Sequence, residues 1–162
     1  MSVTDGLLEN NKRFASGFSV RTGAHGGTRV AVVACMDARL DPARALGLES
    51  GDAHVIRNAG GVITEDVVRS LVVSQRLLGT EEIVLVHHTD CGMLGFRDDP
   101  VKDEIEAETG LRPPFALEAF TDVEHDVRQS IARIRTNAFI PKKDAVRGFV
   151  YDVDSGRLHE VT

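Results

Sequence analysis

Val30-Ala31-Val32-Val33-Ala34 is an unbroken apolar run, and valine fills three of its five positions. A segment this short with no polar position offers no face to water. It fits a strand buried on both sides, the situation of strands in a parallel sheet. Ala53-His54-Val55-Ile56 and Glu82-Ile83-Val84-Leu85-Val86 follow with related character. Between them Thr64 is predicted to cap a helix with Glu65 and Asp66 in its positive first turn. The stripe Val67, Val68, Leu71, Val72, Gln75 and Leu78 has helical period, and Gly79 is the expected stop. Strands alternating with helices predict an α/β fold. Its mainly parallel central sheet would have about four to five strands with flanking helices.

The remaining elements are read in the same way. A helix is expected from Thr4 as N-cap through Phe14, ending before Gly17, and then a glycine-rich loop over 21–28. Asp41-Pro42 opens a short helix ending near Gly47. A further helix is expected over 101–108. Thr121-Asp122-Val123-Glu124 matches a capping box opening a helix through Arg135. A strand over 147–153, a turn at 154–156 and a strand over 157–161 close the chain. The length of 162 residues suits one domain spanning 1–162.

Charge removes some function classes. At a net charge of −6 with no basic stripe, the chain is not expected to bind nucleic acid. No apolar run approaches the ~20 residues of a membrane span. The first residues lack the basic-then-apolar order of a secretory signal, so a cytoplasmic location is expected.

Two segments carry the chemistry. Cys35-Met36-Asp37-Ala38-Arg39 leaves the C-terminal end of the first strand, and His88-Thr89-Asp90-Cys91 leaves that of the third. Ligands of open α/β sheets bind beyond those carboxyl ends, so both segments are expected to meet in one crevice. While the chain stays extended, alternation would put Cys35, Asp37 and Arg39 on one side. The two-residue spacer would let a turn bring His88 and Cys91 to one ion. Two thiolates and an imidazole are zinc-type donors, and such a set leaves a fourth position open, the mark of a catalytic rather than a structural site. Taken singly, Cys35 reads as a buried thiol and Asp37 with Arg39 as a structural ion pair.

His87 points to the opposite face of its strand from His88 and reads as packing or as support for the site. His25, His54, His125 and His159 have no ligand-like neighbours in sequence. Asp90 reads as a cap on the turn backbone without a catalytic role, and Asn58 as a residue behind the site. Gly60-Gly61 lacks nucleotide-loop spacing and reads as permitting close backbone approach or a subunit contact.

Cys35-Met36-Asp37-Ala38-Arg39, Arg57-Asn58-Ala59-Gly60 and His88-Thr89-Asp90-Cys91-Gly92, in this order and spacing, resemble the β-class carbonic anhydrases. The likeness covers most of the chain, and the compact length resembles the small mycobacterial-type branch. Three departures stand out: Ala38 where the family often has Ser, a shorter N-terminal arm, and no Trp, which removes a Trp-containing bicarbonate pocket found in some members. The resemblance implies Zn2+ held by Cys35, His88 and Cys91. It also implies reversible hydration of carbon dioxide to bicarbonate and a proton by a zinc-bound hydroxide, in a homodimer or homotetramer. Asp37 would either pair with Arg39 and orient the hydroxide, or leave Arg39 and become a fourth metal ligand. Alternative readings are hydrolysis of carbonyl sulfide or carbon disulfide at the same zinc, a non-catalytic zinc-binding assembly domain, and a redox pair of Cys35 with Cys91.

Overall fold

The computed structural model describes residues 2–19 and 27–162. The expected loop at 21–28 and His25 fall almost wholly outside these residues. The elements run in the order α1 (Val3–Ser16), β1 (Val30–Cys35), α2 (Pro42–Leu46), β2 (Ala53–Asn58), α3 (Glu65–Arg76), β3 (Glu82–His88), α4 (Asp98–Thr109), α5 (Val123–Thr136), β4 (Val146–Tyr151) and β5 (Leu158–Val161). Single 3-10 turns occupy Ala59–Gly61 and Gly92–Leu94. No helix among the described residues is long and apolar enough to cross a membrane.

One sheet orders the strands β2-β1-β3-β4-β5. All neighbours are parallel except β5, which returns antiparallel to β4. The mainly parallel sheet with flanking helices is the architecture expected from the strand-helix alternation. The apolar run of β1 explains its central place. Ala31 and Val33 pack with Val67 and Leu71 of α3 and Ile134 of α5 on one face. Val32 and Ala34 pack with Leu40, Val62, Met93 and Phe120 on the other. Burial of both faces leaves no position in this strand for a polar side chain.

Several boundaries differ from expectation because a better-placed cap is available. Ser2, not Thr4, caps α1: its hydroxyl accepts from the Asp5 N–H at 3.2 Å, and the Asp5 carboxylate accepts from the Ser2 N–H at 2.7 Å. Asp122, not Thr121, caps α5, its carboxylate accepting from the His125 N–H at 2.8 Å. The helix expected over 101–108 begins earlier, at Asp98, whose carboxylate accepts from the backbone N–H groups of Leu117, Glu118 and Ala119. Thr64 does cap α3, but the helix ends at Arg76, before Gly79. β4 stops at Tyr151, since Asp152 accepts from the N–H groups of Asp154 and Ser155 and turns the chain.

Candidate metal centre

β1 and β3 are direct neighbours in parallel register, with Ala34 opposite Val86. Their C-terminal ends therefore deliver Cys35 and His88 to the same edge of the sheet. After β3 the backbone turns through Asp90, in the left-handed region at φ 53°, and returns Cys91 toward the strand ends. The donor atoms of Cys35, His88 and Cys91 all lie within 4.8 Å of one another, and all three residues are buried. Neither thiol is in a disulfide.

The donor set fits a zinc-type ion. His88 Nδ1 lies 2.8 Å from the Thr89 carbonyl oxygen, which can only accept, so this nitrogen carries the proton. The lone pair is thereby placed on Nε2, which is buried and has no hydrogen-bond partner. A buried acceptor left unpaired beside two thiols is costly in a bare protein and correct for a metal ligand. Sulfur and imidazole donors are those of tetrahedral zinc, and three of them leave one coordination position for water or substrate.

Electrostatics point the same way. The Cys35 thiol is pulled down to about 4, chiefly by a hydrogen bond from the Cys91 thiol and further by His88 and the backbone N–H groups of Asp37 and Gly60, against the effect of burial. The Cys91 thiol is pushed up by the Cys35 thiolate and by burial. Burial works against protonation of His88, but the Cys35 sulfur and the Thr89 carbonyl outweigh it and raise its pKa. A site that concentrates negative charge on buried sulfur is made for a cation.

The segment after Cys35 does not stay extended as expected. Arg57, at the end of β2, gathers three carbonyls: Cys35 O at 2.8 and 3.0 Å, Asp37 O at 2.8 Å and Leu40 O at 2.7 Å. The chain curls around this guanidinium, and the Leu40 N–H bonds back to Asp37 O at 3.1 Å. Asp37 and Arg39 still meet, through the turn rather than through strand alternation. Asp37 Oδ1 accepts from the Arg39 backbone N–H at 2.8 Å and from Nε at 3.0 Å, and Oδ2 accepts from Nη2 at 2.9 Å. This pairing holds the Asp37 carboxyl well below the usual carboxylate range and raises Arg39. Asp37 Oδ2 lies 3.8 Å from His88 Nε2, at the edge of the donor group and outside it.

Gly61 closes the back of the site at φ 72°. A Cβ there would stand 2.8 Å from the Cys35 nitrogen and 3.2 Å from the Val86 oxygen, so only glycine lets this turn rest on the ends of β1 and β3. The expected close backbone approach at Gly60-Gly61 is met. Asn58 donates its amide to the Val62 carbonyl at 2.9 Å. His87 faces away from the donors, with Nε2 2.7 Å from Asp126 Oδ2 on α5. His54 bonds Ser74 Oγ at 2.7 Å, and His125 and His159 are exposed. Arg57 was not singled out from sequence as a site residue. Its signals were a cation at a strand end and its place in the Arg57-Asn58-Ala59-Gly60 segment, neither of which told which groups it would bind.

A sequence model of the family described as carbonic anhydrase matches residues 30–158. The chain is 56% identical to Beta-carbonic anhydrase 1 of Mycobacterium tuberculosis (strain H37Rv) over 162 residues, covering all of this chain and 99% of that one. It is 34% identical over 172 residues to a carbon disulfide hydrolase of Acidithiobacillus thiooxidans, covering 93% of this chain and 85% of the relative. The crystal structure of a carbonic anhydrase from Streptococcus mutans superposes with a TM-score of 0.93 at 41% identity, covering 100% of this chain and 99% of that one. A three-donor centre at the β1 and β3 ends, a family match across the sheet and a full-length relative of this identity agree: the chain belongs to the β-class carbonic anhydrases.

Proposed function

We propose that the chain catalyses the reversible hydration of carbon dioxide to bicarbonate and a proton, with zinc held by Cys35, His88 and Cys91. The observation that carries this reading is the orphaned, buried Nε2 of His88 facing two thiols beside an ionised Asp37. Zinc, when bound, supplies Lewis acidity that lowers the pKa of a coordinated water to about 7. The residues of the chain do the rest. Thr89 fixes the His88 tautomer through its carbonyl. Arg57 fixes the path of the segment carrying Cys35 and Asp37. Asp37, kept ionised by Arg39, can only accept hydrogen bonds, so it orients the O–H of the attacking water toward itself and the oxygen lone pair toward carbon dioxide. Released from Arg39, Asp37 would be near enough to the three donors to join them and close the site; paired with Arg39, as here, it stays outside the donor group. Stopped-flow hydration with zinc content measured on the same sample tests the reading, and stoichiometric zinc without hydration overturns it.

Hydrolysis of carbon disulfide is the second reading, favoured by the 34% identity to a carbon disulfide hydrolase. The full-length relative at 56% identity ranks carbon dioxide first. Parallel assays on both substrates separate them.

The chain acts as one cytoplasmic domain spanning 1–162, assembled as a homodimer or as a tetramer of such dimers. Support for assembly lies in α1, which buries none of its residues and leaves Leu7, Leu8 and Phe14 more than half exposed. A second open apolar surface, a groove of about 1040 Å³ lined by Val68, Val72, Val73 and Phe139 among others, runs beside α3 and contains none of the three metal donors. Sedimentation of the intact chain measures the assembly.

A further inference from the structure

We infer that Asp90 is a positioning residue for the reaction, acting through Arg39 to hold Asp37 in its open-site orientation. The inference rests on the proposed hydration chemistry and concerns a residue to which that chemistry gives no part.

The Arg39 guanidinium has two sides, and both are taken. Nε and Nη2 face Asp37. Nη1 donates to Asp90 Oδ2 at 2.7 Å, and Nη2 also donates to the Asp90 carbonyl oxygen at 2.9 Å. Asp90 therefore uses its side chain and its backbone on one guanidinium. It does so from a left-handed backbone, at φ 53°, which Asp tolerates better than most residues. Arg39 is thus a bridge between the segment carrying Cys35 and the segment carrying His88 and Cys91. With Asp90 in place, rotating the guanidinium away from Asp37 breaks contacts to two segments at once. Without the Asp90 carboxylate, Nη1 loses its partner and Arg39 keeps, on that side, only the Nη2 bond to the backbone carbonyl at position 90, so Asp37 gains freedom to swing away from it.

The Asp90 side chain is 81% exposed, so the pair is screened by solvent and its effect is modest. Two variants separate the carboxylate from the turn. Asp90→Gly keeps the left-handed turn and the carbonyl contact but removes the carboxylate. Asp90→Asn keeps the shape and removes the charge. Both are expected to keep full zinc content and an unchanged melting temperature. Both are expected to lower kcat by about three- to fivefold with little change in KM, the size of effect an exposed charge pair supports. A second readout needs no turnover. In protein labelled with 15N-arginine, the Arg39 Nη1 hydrogens of the wild type should be protected from exchange, and Asp90→Gly should lose that protection at Nη1 while Nη2, still bonded to Asp37 and to the carbonyl at position 90, keeps it. Wild-type kcat and wild-type Nη signals in Asp90→Gly would overturn the inference, since only the turn would then matter. An inactive but zinc-loaded wild type would sink the hydration reading, while the arginine signals would still decide whether Asp90 anchors Arg39.

Discussion

The metal end of the sheet and the N-terminal helix α1 are opposite kinds of structure. At the strand ends side chains reach across the fold: Arg57 binds three carbonyls, Arg39 binds two segments, and Gly61 rests on backbone. Along α1 the side-chain hydrogen bonds are local, such as the Ser2–Asp5 capping box and the Lys12–Glu9 pair, and its large apolar side chains face outward. The site is therefore complete within one copy of the chain as far as its donors go. Along α1 no residue is buried, so packing within this copy of the chain adds little to its stability. Substitutions should divide accordingly, with chemistry and folding sensitive at one end and assembly at the other.

The largest effect belongs to the donors. His88→Ala should abolish zinc binding, read by metal analysis, and with it hydration, read by stopped flow, because two thiols alone do not make the set. Retained stoichiometric zinc would erase the contrast between the two regions. Arg39→Ala should keep zinc yet lower kcat/KM on the order of 100-fold, as loss of orientation at a reacting centre does. The glycines sharpen the comparison because they should move in opposite directions. Gly61→Ala forces a Cβ into backbone at positive φ and should cost about 2–4 kcal/mol in urea unfolding. Gly6→Ala lies inside α1 with nothing within 4 Å and should stabilise by about 0.5–1 kcal/mol. The smallest effect is a pH dependence at Asp98. Burial pushes its carboxyl up, but three backbone N–H donors outweigh this and hold its pKa below the ordinary 3.8. A depressed folded value gives stability that is present above the unfolded pKa and lost as pH falls through the folded one. The difference in unfolding midpoint between wild type and Asp98→Ala should thus be widest near neutral pH and narrow below about pH 4.

Much of this was legible in the sequence. The strands could be read because buried strands leave an uninterrupted apolar record, and the metal donors because sulfur and imidazole at two strand ends have few other uses. Arg57 and Asp90 were not, for a physical reason. Their importance lies in where long or exposed polar side chains reach across the fold, and no periodicity records a reach. Asp90 illustrates this: the sequence suggests a local turn cap, while its contacts run to Arg39 on another segment. The caps at Ser2 and Asp122 were misplaced by one or two residues because adjacent hydroxyls and carboxylates compete for the same N–H groups, and only the backbone path decides between them.

The adjacency of β1 and β3 also sets a timetable for the ion. During synthesis Cys35 leaves the ribosome well before His88 and Cys91, and no strand between β1 and β3 in the sheet can stand in for the later one. Until residues 88–91 have been made, a nascent chain offers an incoming metal a single thiol from this set, and the three donors meet only when β3 lies beside β1. Docking of that strand is therefore what completes the three-donor set.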